Sequence, residues 1–233
     1  MPRESFHREL DRLVEKVVEL GREVESCLDT MVGALEKHDA EVASHQLGVD
    51  AHYKERGTQI IEECMILQAR QAPVAQDLRL IHVLQAVTNH LVRTGTLCEH
   101  ICQGIAETRD AERDPDLAVT LQEMAHGARD LFRRGLDVFE TRDIEHSEEL
   151  EEADDRVDLM YSEGMNLAVN PGDKERVGSP EWRVRAALTV HYLERIADHG
   201  VDIGERTVFL VTGERMEGAL RRYRERRLDD YED

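Results

Sequence analysis

The stretch HYLERIADHGVDIGERTVFLVTG, residues 191–213, places His191, Glu194, Asp198 and Asp202 three and four positions apart. On a helix these four share one face. An imidazole and three carboxylates in a row are donors for a hard or borderline cation. Upstream, Asp154-x-x-x-Asp158 and His126-x-x-x-Asp130 repeat the four-residue spacing, which sets each pair one helical turn apart. Counting about 1.5 Å of rise per residue along three antiparallel helices brings all three pairs to a similar level. Glu194, Asp198, Asp154 and Asp158 are therefore the expected ligands. His191, Asp202, His126 and Asp130 are expected as further ligands or as groups that orient them. Carboxylates buried together repel and are costly to desolvate, so such a cluster calls for an ion such as iron, manganese or magnesium. The competing reading is a solvated acidic face, with Arg156 and Arg195 as counter-ions.

The elements that must position these residues are marked by caps and breakers. Ser5 opens a first helix running to about Lys37, and Asp39 a second running to about Gln71. Pro73 begins a third that ends near Thr108; RDAERDPD then breaks the chain. A fourth helix covers about 116–141, Asp143 caps a fifth, and Ser179-Pro180 starts a sixth that ends at Gly213. The set is doubled. LEKHDAEVASHQLGVDAHY (35–53) aligns without a gap on FETRDIEHSEELEEADDRV (139–157), and HLVRTGTLCEHI (90–101) on YLERIADHGVDI (192–203). The predicted fold is all-α, two tandem three-helix bundles over 1–110 and 111–213, followed by a charged tail at 214–233. Bundle one offers poor ligands at the matching places: Asp50 and Lys54 stand for Asp154 and Asp158, and Val92 and Thr96 for Glu194 and Asp198. One metal site, in bundle two only, is expected.

Composition narrows the function. Only 4% of residues are aromatic, and a formal charge of -20 repels nucleic acid and anionic membranes. MPRESFHREL is charged throughout, and no apolar run approaches membrane-spanning length. Cys27, Cys64, Cys98 and Cys102 lie in helical segments without a disulfide-scaffold pattern, so a reduced, cytoplasmic protein is expected. Glu123-Met-Ala-His126 supplies one half of a di-iron carboxylate signature, which makes a metalloenzyme the alternative reading, but no second E-x-x-H follows. No G-x-S-x-G and no Walker sequence is present, so neither catalysis nor nucleotide binding is expected. RRYRERR (221–227) is read as part of a solvated tail.

RQAPVAQDLRLI (70–81), LERIADHGVDI (193–203) and VDLMY (157–161), in this order on a doubled three-helix repeat, resemble the PhoU family of phosphate-uptake regulators. The first is similar to the family's Q-P-x-A-x-D-L-R, the second to L-E-R-I-G-D-x-x-x-N-I. Here Ala197 stands for the glycine and Asp202 for the asparagine, while Val92 and Thr96 replace the first-repeat acids. The resemblance implies a non-catalytic cytoplasmic regulator that works with the ATPase of a phosphate ABC transporter and with a sensor histidine kinase. It would repress phosphate-starvation genes, restrain uptake, reach the membrane only through partners, and could pair as a homodimer. The family's [E/D]-x-x-x-D metal motifs fall on Asp154/Asp158 and Glu194/Asp198. Its signature also offers Asp77 and Arg79 as partner-binding residues, against a local reading as helix-capping acid and solvated arginine.

Overall fold

The computed structural model describes residues 3–145, 147–170 and 177–215. Among these residues the chain forms helices and no strand: α1 (Arg3–Lys37), α2 (Ala40–His45), α3 (Asp50–Gln71), α4 (Ala75–Glu107), α5 (Pro115–Thr141), α6 (Glu148–Val169) and α7 (Pro180–Thr212). Most of the expected punctuation is used. The Asp39 carboxylate accepts from the backbone N–H of Glu41 and Val42; Asp114, not singled out in the sequence, does the same for Asp116 and Leu117 ahead of Pro115. Ser179 accepts from Trp182 N–H, and Gly213, at φ 76°, closes α7 in the left-handed region.

Three boundaries differ from expectation. Helix α1 already runs at Arg3, so Ser5 lies inside it and is not the cap. The helix expected over 39–71 is two helices, because the chain leaves helical geometry after His45 and Gly48 takes φ 89°. In the second half, α6 begins at Glu148. Asp143 instead accepts from Glu145 N–H in a local turn (3.1 Å). The two halves therefore break at different points of the repeat, since 46–49 match 150–153, which lie inside α6. The tail at 214–233 falls almost wholly outside the described residues.

Helices α3, α4, α7 and α6 lie side by side in that order, with α1 across α3 and α4 and α5 across α7 and α6. The two expected three-helix units are α1/α3/α4 and α5/α6/α7. They share one continuous core, from Leu20 and Leu28 of α1 through Leu91 and Ile101 of α4 to Phe132 of α5 and Leu193 and Ile196 of α7. Glycine sets the closest crossing. A Cβ on Gly135 of α5 would stand 2.1 Å from the Gly200 carbonyl oxygen of α7, so the two backbones touch. That contact seats α7 and fixes its rotation, turning Glu194 and Asp198 away from α5. Gly204 of α7 accommodates Leu150 of α6, where a Cβ would meet the leucine side chain at 2.3 Å. Helix α6 is thereby held against the face that carries the acids.

Candidate metal centre at the α6–α7 face

The core side of α6 is built on Leu150, Val157, Gly164 and Ala168. Asp154 lies on the border of that stripe, and Glu194 and Asp198 lie on the border of the α7 stripe formed by Leu193, Ile196 and Ala197. The borders meet, so carboxylates from both helices crowd into a half-buried strip. Burial, then the charges of Asp198, Asp158, Glu194 and Asp155, pushes the Asp154 carboxyl from its ordinary 3.8 up to about 6. Glu194 is raised by burial, then by Asp198 and Asp158, with Arg195 opposing. Asp198 is raised by burial, then by Asp158 and Asp202, with Arg195 and His191 opposing. Asp154 Oδ1 and Glu194 Oε2 are buried and have no hydrogen-bond partner. His191 Nδ1 stands 3.7 Å from Glu194 Oε2, too far for a hydrogen bond.

The donor chemistry suits a hard cation: four carboxylates, two of them with orphaned buried oxygens, and a flanking imidazole. As the side chains stand, no three His, Cys, Asp or Glu among the described residues converge closely enough to hold an ion. The four residues expected as ligands lie along this strip within each other's electrostatic field, with His191 at its edge. His126 and Asp130 are a correction. His126 Nε2 lies 2.5 Å from Glu36 Oε1 of α1, and Asp130 is bound by Arg129 (2.9 Å). Gly127, not His126, faces α6, packed against Met160 and Val157. Height along α5 was legible in the sequence; rotation about its axis was not. The same orientation removes Glu123-x-x-His126 from the acidic strip, and with it the half-signature of a di-iron site.

Asp202 divides its role, contributing to the field on Asp198 while its Oδ2 lies 3.6 Å from His90 Nδ1 of α4. The His90 ring packs edge-on to His199 at 5.2 Å, and His199 Nδ1 shares a hydrogen bond with Thr94 Oγ1 at 3.0 Å. This polar seam between the units went unnoticed in the sequence. Its one signal was a histidine at the inward position between Ile196 and Ile203. Burial, aided by His90, Arg195 and Arg93, drives His199 down to about 3, so the imidazole is neutral. In bundle one the matching place is already neutralised, since Lys54 pairs with Asp50. The signature residues near Pro73 make contacts within the fold. Asp77 lies 3.5 Å from His7 of α1, and the Arg79 guanidinium sits against Gly213 at the end of α7.

The comparisons agree with this doubled architecture. The PhoU domain profile matches twice, over residues 17–105 and 121–207. A Clostridium acetobutylicum protein named as a phosphate-specific transport system accessory protein PhoU homolog is 26% identical over 220 residues, spanning 93% of this chain and 99% of its own. The Escherichia coli accessory protein PhoU is 26% identical over 210 residues, 90% of this chain and 86% of that protein. The crystal structure of PhoU from Pseudomonas aeruginosa superposes with a TM-score of 0.79 at 24% identity, covering 90% of this chain and all of that one. The Streptococcus pneumoniae phosphate transport system regulatory protein PhoU gives 0.81 at 22% identity, covering 91% and 99%. With both repeats matched and the fold shared from end to end, the chain belongs to the PhoU family.

Proposed function

We propose that this chain is a non-catalytic accessory regulator of a phosphate-specific transporter, acting in the cytoplasm through protein contacts. The observation that carries the reading is the match of both repeats, along nearly the whole chain, to proteins named for that role. No described helix is long and apolar enough to cross a membrane, which fits a protein that meets the transporter from outside the bilayer. On this reading it contacts the transporter's ATPase and a sensor histidine kinase, signals phosphate sufficiency, and so represses starvation genes and restrains uptake. A reporter for a phosphate-starvation promoter, followed in high phosphate, tests it. Deletion should switch the reporter on, and a deletion strain that keeps full repression refutes the regulator role.

The acidic strip is proposed to hold a divalent or iron-type cation through Asp154, Asp158, Glu194 and Asp198. The ion would neutralise the mutual repulsion and tie α6 to α7, a structural or regulatory service with no reacting group beside it. The support is the pair of orphaned buried oxygens. Elemental analysis of protein purified without an affinity tag should find metal at about one equivalent or more, lost in the Glu194→Ala, Asp198→Ala variant. Equal metal content in both proteins would refute the assignment.

A further inference from the structure

All four thiols lie in bundle one, and they are not alike. Cys64, Cys98 and Cys102 are 0% exposed, while Cys27 of α1 keeps 4%. Cys64 is the one cysteine of α3, where burial, then the charge of Glu63, pushes its thiol up to about 11. The other three belong to the packed pair α1 and α4. The ion pairs Lys16–Glu63 and Arg70–Glu9 set α1 antiparallel to α3. The contacts Gly57–Val92 and Gly95–Tyr53 set α3 antiparallel to α4, so α1 and α4 run the same way. Gly21 of α1 lies against Leu91 of α4. Moving up each helix from these two residues, by about 9 and 10 Å, brings Cys27 level with Cys98.

The contacts at this level are polar, in a core that is otherwise apolar. The Cys98 thiol donates to Cys27 Sγ, and the Tyr53 hydroxyl donates to the same sulfur. Tyr53 reaches it because Gly95 leaves room for the ring, where a Cβ would stand 2.3 Å from Cδ2. Gln46, in the turn between α2 and α3, covers the sulfur, and its Oε1 accepts from the Cys27 thiol at 3.5 Å. The Cys98 hydrogen bond holds the Cys27 thiol below its ordinary value; Tyr53 supports it, while burial and Glu99 oppose it. Burial, then the charges of Cys27 and Glu99, drives Cys102 up to about 12. The thiolate is the form that attacks an oxidant, so the sulfur favoured as thiolate and nearest to solvent reacts first.

We propose that Cys27 is a peroxide-reactive thiol and that Cys98 resolves it to a disulfide tying α1 to α4. The Cys27 sulfur attacks one peroxide oxygen, so that S–O forms as O–O breaks, and the hydroxide released takes up a proton to leave as water. The Cys98 sulfur then attacks the Cys27 sulfur. S–S forms, S–O breaks, and the departing hydroxide leaves as water with the Cys98 proton. Two thiols thereby lose two electrons to one molecule of peroxide. The turn carrying Gln46 controls access, since it must lift before an oxidant reaches the sulfur. The site lies in bundle one, apart from the acidic strip, and depends neither on the metal assignment nor on the regulator reading.

The test treats the full chain with hydrogen peroxide, alkylates it in denaturant and maps the peptides by mass spectrometry, with Cys64 as the internal reference. Cys27 should be consumed about tenfold faster than Cys64 or more, and the product should be a Cys27–Cys98 cross-link that dithiothreitol reverses. In Cys98→Ser the oxidation should stop at a sulfenic acid on Cys27, trapped by dimedone. Cys64→Ser should behave as the parent does. Mapping the parent needs no variant, so a substitution that fails to fold leaves the test decisive. Equal rates at Cys27 and Cys64 overturn the proposal. So does oxidation of Cys27 without a cross-link, or a cross-link that joins Cys102 to either partner or joins two chains.

Discussion

Replacing Asp154 with asparagine should stabilise the metal-free protein at neutral pH, the reverse of what loss of a buried polar residue usually does. The carboxyl sits at about 6 in the fold against an ordinary 3.8, about two units, which corresponds to about 3 kcal/mol for a fully buried group. Asp154 is only half-buried, so solvent screening reduces this to about 1–2 kcal/mol. Because the folded-state value is raised, the folded protein holds the proton more tightly than the unfolded chain. Stability is then greatest at low pH and is lost as pH rises from about 4 through about 6. At pH 7.5 the whole cost is present, and Asp154→Asn removes it; near pH 4 the two proteins should differ little. Urea denaturation in the presence of a chelator measures this directly. For a chain of this size each kcal/mol corresponds to about 2–4 °C in melting temperature. A variant equal to or less stable than the parent at pH 7.5 would refute the repulsion argument. An ion that binds only the folded parent should reverse the order, by mass action.

Other perturbations have equally definite signs. Gly200→Ala should cost about 3 kcal/mol or more in urea denaturation, since its Cβ would lie 2.7 Å from Phe132 Cα and only a shift of backbone against backbone relieves that. His199 titrates the other way from Asp154. Its value is depressed to about 3, so the unfolded chain takes up the proton first and stability falls as pH drops below about 6.5. Between pH 7 and 5 the parent should lose about 2 kcal/mol more than His199→Leu. Matching pH profiles would show that the imidazole is not buried as described. Arg133→Ala should cost less than about 1 kcal/mol even though the guanidinium meets both Glu25 and Asp29, because that pair is exposed on the α1–α5 surface. A larger loss in thermal melts would mean that these charges couple to the core.

The sequence by itself determined the helices, the repeat and the chemistry of the acidic strip. Asp39, Asp114 and Ser179 cap as their side chains dictate, and Gly213 ends α7 because it alone among its neighbours enters the left-handed region without strain. Four-residue spacing was enough to pair Asp154 with Asp158 and Glu194 with Asp198, since helical periodicity is a local property. The family motifs, read as a resemblance, carried the expectation of a regulatory role, which spacing cannot supply.

Tertiary structure decided which faces meet. His126 and Asp130 have the right height and spacing, yet rotation of α5 turns His126 to Glu36 of α1 and leaves Asp130 exposed beside its own neighbour Arg129, and that rotation is set by Gly127 against α6 and Gly135 against Gly200. The His90–His199–Thr94 seam joins residues more than a hundred positions apart in two repeats. The short α2 and the late start of α6 likewise depend on how each unit closes, not on the cap residue alone. A helix announces its own stripe in its sequence. The partner of that stripe is chosen by packing among all the helices at once, through close approaches that no single segment encodes.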